Sequence, residues 1–146
     1  MPDDPFYLNH INILLVEDDQ DDQEIMREMF EEMDRVAVIT IFSSPDEFID
    51  YLEKLKKGPL PDLIVLDYNL PELTAEEVLL LVRKHERFNY LPVVVYSSTM
   101  TEEKELDLKT LGADFCRVKP SSLEGLRSLV TELIDYADTH RSATHY

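Results

Sequence analysis

Unbroken apolar runs recur along the chain, separated by longer stretches in which apolar positions return every three or four residues. Ile13-Leu14-Leu15-Val16, Leu63-Ile64-Val65-Leu66 and Val93-Val94-Val95 carry no polar residue, as expected of strands covered on both faces of a sheet. The pattern predicts strands over residues 12–16, 36–42, 63–66, 93–96 and 115–118. The intervening stretches have helical periodicity. The first covers about 21–34, with Ile25, Met26, Met29, Phe30 and Met33 on one stripe. The second begins at Ser44-Pro45-Asp46-Glu47, a capping residue followed by proline at the first helical position, and is expected to end near Gly58. The third, about 75–87, opens on Thr74-Ala75-Glu76-Glu77, and the fourth runs from 102 to about 111, stopping at Gly112. The fifth, about 123–137, buries Leu126, Leu129, Val130, Leu133 and Ile134.

Strands alternating with helices imply parallel pairing through crossover connections, and those crossovers are right-handed. The expected fold is α/β: a doubly wound (βα)5, flavodoxin-like three-layer sandwich around a five-stranded parallel sheet of order 2-1-3-4-5. The repeating units fill residues 11–137, leaving 1–10 and 138–146 as terminal extensions, the second polar and expected to fray.

Composition narrows the class. With 146 residues the chain suffices for one domain with a substantial core. A net charge of -17 supplies no basic stripe to displace counterions from a nucleic acid, and it disfavours an anionic membrane surface. A single cysteine, Cys116, excludes an internal disulfide and suits a reducing compartment. The acidic start, Met1-Pro2-Asp3-Asp4-Pro5, is unlike a secretory signal, and the apolar runs are far shorter than a membrane span. The expectation is a cytoplasmic protein that neither enters a membrane nor binds nucleic acid.

The chemistry gathers where the strands end. The first strand runs into Glu17-Asp18, the third into Asp67, the fourth into Ser97-Ser98 and the fifth into Lys119-Pro120. In a parallel sheet all four tips share the carboxyl edge, where open α/β sheets bind ligands. Carboxylates crowded there call for a hard cation such as Mg²⁺. Each residue also has a plainer reading. Glu17 and Asp18 could open a helix, where acids suit the dipole; Ser97 could cap backbone groups; Lys119 could be a loop cation. Asp19, Asp21 and Asp22 fit N-capping and solvation. His10, His85, His140 and His145 lie apart from the strand tips and form no site.

These segments resemble a known family. Ile13-Leu14-Leu15-Val16-Glu17-Asp18-Asp19, Pro61-Asp62-Leu63-Ile64-Val65-Leu66-Asp67-Tyr68-Asn69-Leu70-Pro71, Leu91-Pro92-Val93-Val94-Val95-Tyr96-Ser97-Ser98 and Val118-Lys119-Pro120 occur in the order and spacing of a CheY-like receiver domain of two-component response regulators. The resemblance implies that Asp67 is the phosphoacceptor, carrying a 4-aspartylphosphate. It implies that Glu17, Asp18, Asp67 and the Asn69 carbonyl hold Mg²⁺, with Mn²⁺ able to substitute. Ser97 would meet the phosphoryl group and Lys119 its oxygens, with a cis Lys119-Pro120 peptide. It further implies a phosphohistidine donor, either a sensor histidine kinase or a histidine phosphotransfer protein, and output by binding a downstream protein. A homodimer through helix four, strand five and helix five is also compatible. Catalysis would be limited to the domain's own phosphorylation and dephosphorylation. Lys119 is expected to matter more for the response than for folding.

Two positions depart from the family pattern. Cys116 stands where an aromatic usually precedes the lysine by three residues, and Ala75 stands where a glycine usually follows the phosphoacceptor loop. Tyr96 and Phe115 are near Cys116 but are expected to point elsewhere on alternating strands. The switch would then run through Ser97 and residues 98–101. Three other functions compete: a pseudo-receiver that binds without phosphorylation, a flavin carrier, and a haloacid-dehalogenase-type phosphatase. Glu17-Asp18-Asp19 in place of a phosphate-cradling loop opposes the flavin, and Asn69 in place of a second aspartate opposes the phosphatase.

Overall fold

Alternation along β1 (Ile11–Val16) sends Leu14 and Val16 to one face of the sheet and Ile11, Ile13 and Leu15 to the other. Each set is buried against its own group of helices, so one strand seeds two cores. The computed structural model describes residues 10–55 and 60–144, with side chains to 141. β2 (Ala37–Phe42), β3 (Leu63–Asp67), β4 (Val93–Ser97) and β5 (Phe115–Val118) complete a parallel sheet of order β2-β1-β3-β4-β5, as the sequence predicts. β1, β3 and β4, which contain the unbroken apolar runs, are the buried strands, and the more mixed β2 and β5 are the edges.

The helices are α1 (Gln20–Glu32), α2 (Pro45–Lys54), α3 (Ala75–Lys84), α4 (Glu102–Thr110) and α5 (Leu123–Thr144). On one face Phe48 and Leu52 of α2, Val78, Leu79 and Val82 of α3 and Leu108 of α4 pack on Leu14, Val16, Ile64, Leu66, Val93 and Val95. On the other, Met26, Met29 and Phe30 of α1 and Leu129, Val130, Leu133 and Ile134 of α5 pack on Ile13, Leu15, Leu63, Val65 and Val94. Capping side chains fix where the helices begin. Ser44 accepts from the Glu47 amide, Thr101 from that of Lys104, and Thr74 forms a reciprocal capping box with Glu77.

Differences from the sequence reading lie at element ends. α3 stops at Lys84, ahead of the predicted 87, because the chain turns there so that Phe88 and Leu91 can enter the core. The expected end of α2 near Gly58 lies outside the described residues. The main correction concerns the tail expected to fray: α5 continues to Thr144. Its last turns are tied down by Arg141, which donates to the His10 carbonyl at 3.0 Å and pairs with Asp62 at 3.8 Å, while the Tyr136 and His140 rings meet at a tilt of 37° with centroids 3.9 Å apart. Polar composition concealed contacts made by long side chains to backbone. Gly112 ends the turn after α4 with φ +114°, where a Cβ would meet the Arg83 Nε at 2.8 Å. Ala75 begins α3 fully buried and has helical conformation, so this position makes no demand for glycine.

Candidate functional site

Three strands end in acids or hydroxyls because each apolar run stops where the sheet does. Glu17 follows β1, while Asp67 and Ser97 are the last residues of β3 and β4. Ladder hydrogen bonds continue past the tips: the Glu17 amide donates to the Phe42 carbonyl, Tyr68 to Tyr96, and Lys119 to Ser97. Backbone geometry thus fixes every chemically interesting side chain at one edge. Carboxylate oxygens of Glu17, Asp18 and Asp67 come within 4.8 Å of one another. Glu17 and Asp67 are buried and Asp18 is exposed.

The Lys119 ammonium lies among these acids. Its Nζ is 2.9 Å from Glu17 Oε1, 3.1 Å from Asp22 Oδ2 and 3.2 Å from Asp67 Oδ2. Burial alone would depress its pKa, but the bonded Glu17 and Asp22 carboxylates outweigh that and raise it. Glu17 is raised from the ordinary carboxylate value, chiefly by burial and further by Asp67, with Tyr96 and Lys119 pulling the other way. Asp67 Oδ1 accepts the Asn69 amide at 3.1 Å. Ser97 Oγ lies 3.4 Å from Asn69 Nδ2, accepts the Thr99 amide at 3.1 Å and is 3.1 Å from Thr99 Oγ1. Thr99 is held in turn by Lys104, whose Nζ donates to its carbonyl at 3.2 Å.

All the residues singled out in the sequence therefore meet at one edge: Glu17, Asp18, Asp67, Asn69, Ser97 and Lys119. Hard oxygen donors beside a strand-tip aspartate fit Mg²⁺ or Mn²⁺, which take carboxylate and carbonyl oxygens. Two participants were not anticipated. Asp22 is bonded to Lys119, whereas its sequence position suggests only helix-end solvation; Asp19 does serve as the cap of α1. Tyr96 donates its phenol to Glu17 Oε1 at 2.6 Å. Strand alternation places Tyr96 on the α1–α5 face, but not how far its ring reaches. The expected cis bond is a correction: no cis peptide occurs among the described residues, so Lys119-Pro120 is trans. Trans is the ordinary state of X–Pro bonds, and here it is compatible with Lys119 reaching the pocket.

Cys116 sits in the core facing α4, 3% exposed, and its amide donates to Glu105 Oε2 at 3.1 Å. Burial, reinforced by Glu105, pushes its thiol up to about 11. Folding therefore favours the protonated thiol. That contribution is complete below the unfolded value and is lost as the pH rises toward about 11. At about pH 8.5, where a free cysteine is half ionised, iodoacetamide should alkylate urea-unfolded chain rapidly and the native chain hardly at all. Equal rates in the two states would show that Cys116 is accessible.

Residues 13–131 match the model of the response regulator receiver domain. The probable methanogenesis regulatory protein FilR2 of Methanothrix harundinacea is 29% identical over 136 residues, spanning 92% of this chain and 84% of that protein. Among solved structures, the phosphorylated cyanobacterial phytochrome response regulator RcpA superposes with a TM-score of 0.75 at 27% identity, covering 87% of this chain and 93% of that one. The Mn²⁺-bound form of response regulator Rcp1 gives 0.70 at 26% identity, covering 83% and 89%.

Proposed function

Because this chain belongs to the response regulator receiver family, we propose that it accepts a phosphoryl group on Asp67 in a two-component phosphorelay, with the help of Mg²⁺. The observation that carries this reading is the Asp67 carboxylate, 3.2 Å from the Lys119 ammonium and grouped with the Glu17 and Asp18 oxygens. Glu17, Asp18, Asp67 and the Asn69 carbonyl would hold the ion, which supplies neutralisation of charge on the phosphoryl oxygens.

The chain's own residues do the rest. An Asp67 carboxylate oxygen attacks phosphorus and forms an acyl phosphate, while the donor's P–N bond breaks and its electron pair leaves with the imidazole of a histidine kinase or phosphotransfer protein. With acetyl phosphate the P–O bond breaks instead and acetate leaves. Lys119 turns its ammonium from carboxylates to phosphoryl oxygens as a point charge. The Asn69 amide on Oδ1 keeps the carboxylate aligned. Ser97, drawn to the new anion, gives up its bonds to Thr99, and Thr99 is tied through Lys104 to the first turn of α4. A change at the phosphate thereby biases α4 without an aromatic at position 116, provided the two arrangements differ in affinity for the anion. Exposed Leu106 on α4, Val118 on β5 and Leu123 on α5 favour this side as the output surface, for a downstream protein or a second copy. Catalysis is confined to the chain's own phosphorylation and hydrolysis. No described helix is long and apolar enough to cross a membrane.

Incubation with acetyl phosphate and Mg²⁺ should give one labile adduct by intact-mass analysis, and excess EDTA should prevent it. No adduct under any metal condition would favour a pseudo-receiver that binds its partners unphosphorylated.

A further inference from the structure

Tyr96 stands at this edge, and the proposed phosphotransfer does not use it. It lies one position before Ser97, level with Asp67 in the sheet register, and is 3% exposed. Its hydroxyl donates to Glu17 Oε1 at 2.6 Å and its ring centroid is 4.8 Å from the Lys119 ammonium. The other Glu17 oxygen, Oε2, accepts the Asp19 amide at 3.1 Å. Glutamate has one more rotatable bond than aspartate, so a glutamate that serves a metal must have that freedom removed. Here the phenol on one oxygen and a backbone amide on the other remove it.

We propose that Tyr96 is a positioning residue for the cation site: through its hydroxyl it fixes the Glu17 carboxylate beside Asp18 and Asp67 and so sets the affinity for Mg²⁺. The inference rests on the reading of this edge as a Mg²⁺-assisted phosphoacceptor site. The hydrogen bond is short and shielded from water, the setting in which groups behind a metal ligand commonly change affinity by tenfold or more. Tyr96→Phe removes one oxygen atom and keeps the ring over Lys119. The effect therefore isolates the hydroxyl.

Isothermal titration with Mg²⁺, and separately with Mn²⁺, tests this on the intact chain without any phosphodonor. Tyr96→Phe should weaken both ions by about tenfold. In a Glu17→Ala background, where the phenol has no side-chain oxygen left to hold, the same change should have no further effect. Glu17→Asp, which keeps the charge but shortens the side chain out of the phenol's reach, should lose affinity to a similar extent. Unchanged or tighter binding by Tyr96→Phe overturns the proposal, as does unchanged binding by Glu17→Asp. An equal loss with and without Glu17 also overturns it, because Tyr96 would then act on the fold in general. Parent protein that binds neither ion refutes the phosphoacceptor reading itself. Parent that binds, with Glu17→Asp weakened and Tyr96→Phe matching the parent, refutes only the role of Tyr96.

Discussion

Asp67→Asn protein should take up no phosphoryl group from acetyl phosphate and Mg²⁺ under conditions where the parent chain is labelled. The substitution replaces one oxygen by nitrogen and removes the anionic nucleophile. It leaves the local scaffold nearly intact. The amide oxygen can still accept from the Asn69 backbone, which meets Asp67 Oδ1 at 3.1 Å in the parent. Loss of the Asp67 charge weakens one contact of Lys119 and also relieves its repulsion of Glu17, which contributes to the raised Glu17 pKa. These effects oppose each other, so the stability change should not exceed the roughly 1 kcal/mol typical of point substitutions. Loss of labelling with retained folding assigns the nucleophile. An adduct that survives in this variant would place it elsewhere and remove Asp67 from the mechanism.

The second large effect concerns Lys119. Sequence reasoning gives this lysine more weight in the response than in folding, whereas the geometry makes it a structural cation as well. Its Nζ bonds to Glu17, Asp22 and Asp67, and the side chains of Glu17 and Asp67 are 0% and 4% exposed. Lys119→Met keeps an aliphatic stem but removes the only ammonium bonded to this pair among the described residues. Stripping a partner from a buried charge costs about 3–5 kcal/mol. Lys119 is itself 19% exposed, and water can reach part of the pocket. The lower end, about 3 kcal/mol, is therefore expected in urea unfolding without divalent ions. Mg²⁺ should then stabilise the variant more than the parent, because the ion meets the same carboxylates without a competing ammonium. The raised pKa of Lys119 means that its contribution persists throughout the neutral range and fades only above the ordinary lysine range. A variant as stable as the parent without Mg²⁺ would show that the three acids tolerate one another unaided.

The central strands and the strand-tip residues were legible because both follow from short-range patterns. A strand buried on both faces must be apolar throughout, and the first polar residue after it must lie at the edge; this locates Glu17, Asp67 and Ser97 from sequence alone. Reach is a different matter. Tyr96 bonds Glu17 across 79 positions of sequence and Arg141 meets His10 across 131. Such contacts depend on side-chain length and rotamer, which periodicity does not encode. Asp22 was obscured for a related reason: in a helix's first turn an acid has a sufficient local explanation, and nothing in the sequence reveals a cation arriving from the fifth strand. The continuation of α5 past Ala137 had the same origin, since polar residues that hold a helix end and polar residues that leave it in water have the same composition.

α5 also has a consequence for access. It starts next to Lys119-Pro120 at the carboxyl edge of the sheet, and in its last turns Arg141 is bonded to the residue that leads into β1. At about 1.5 Å per residue such a helix spans the full depth of the sheet. Residues 10 and 141 are consequently neighbours on the amino edge, with the whole length of β1 between them and Asp67. A reporter fused at either position would emerge behind the molecule, leaving the carboxyl edge around Asp67 uncovered.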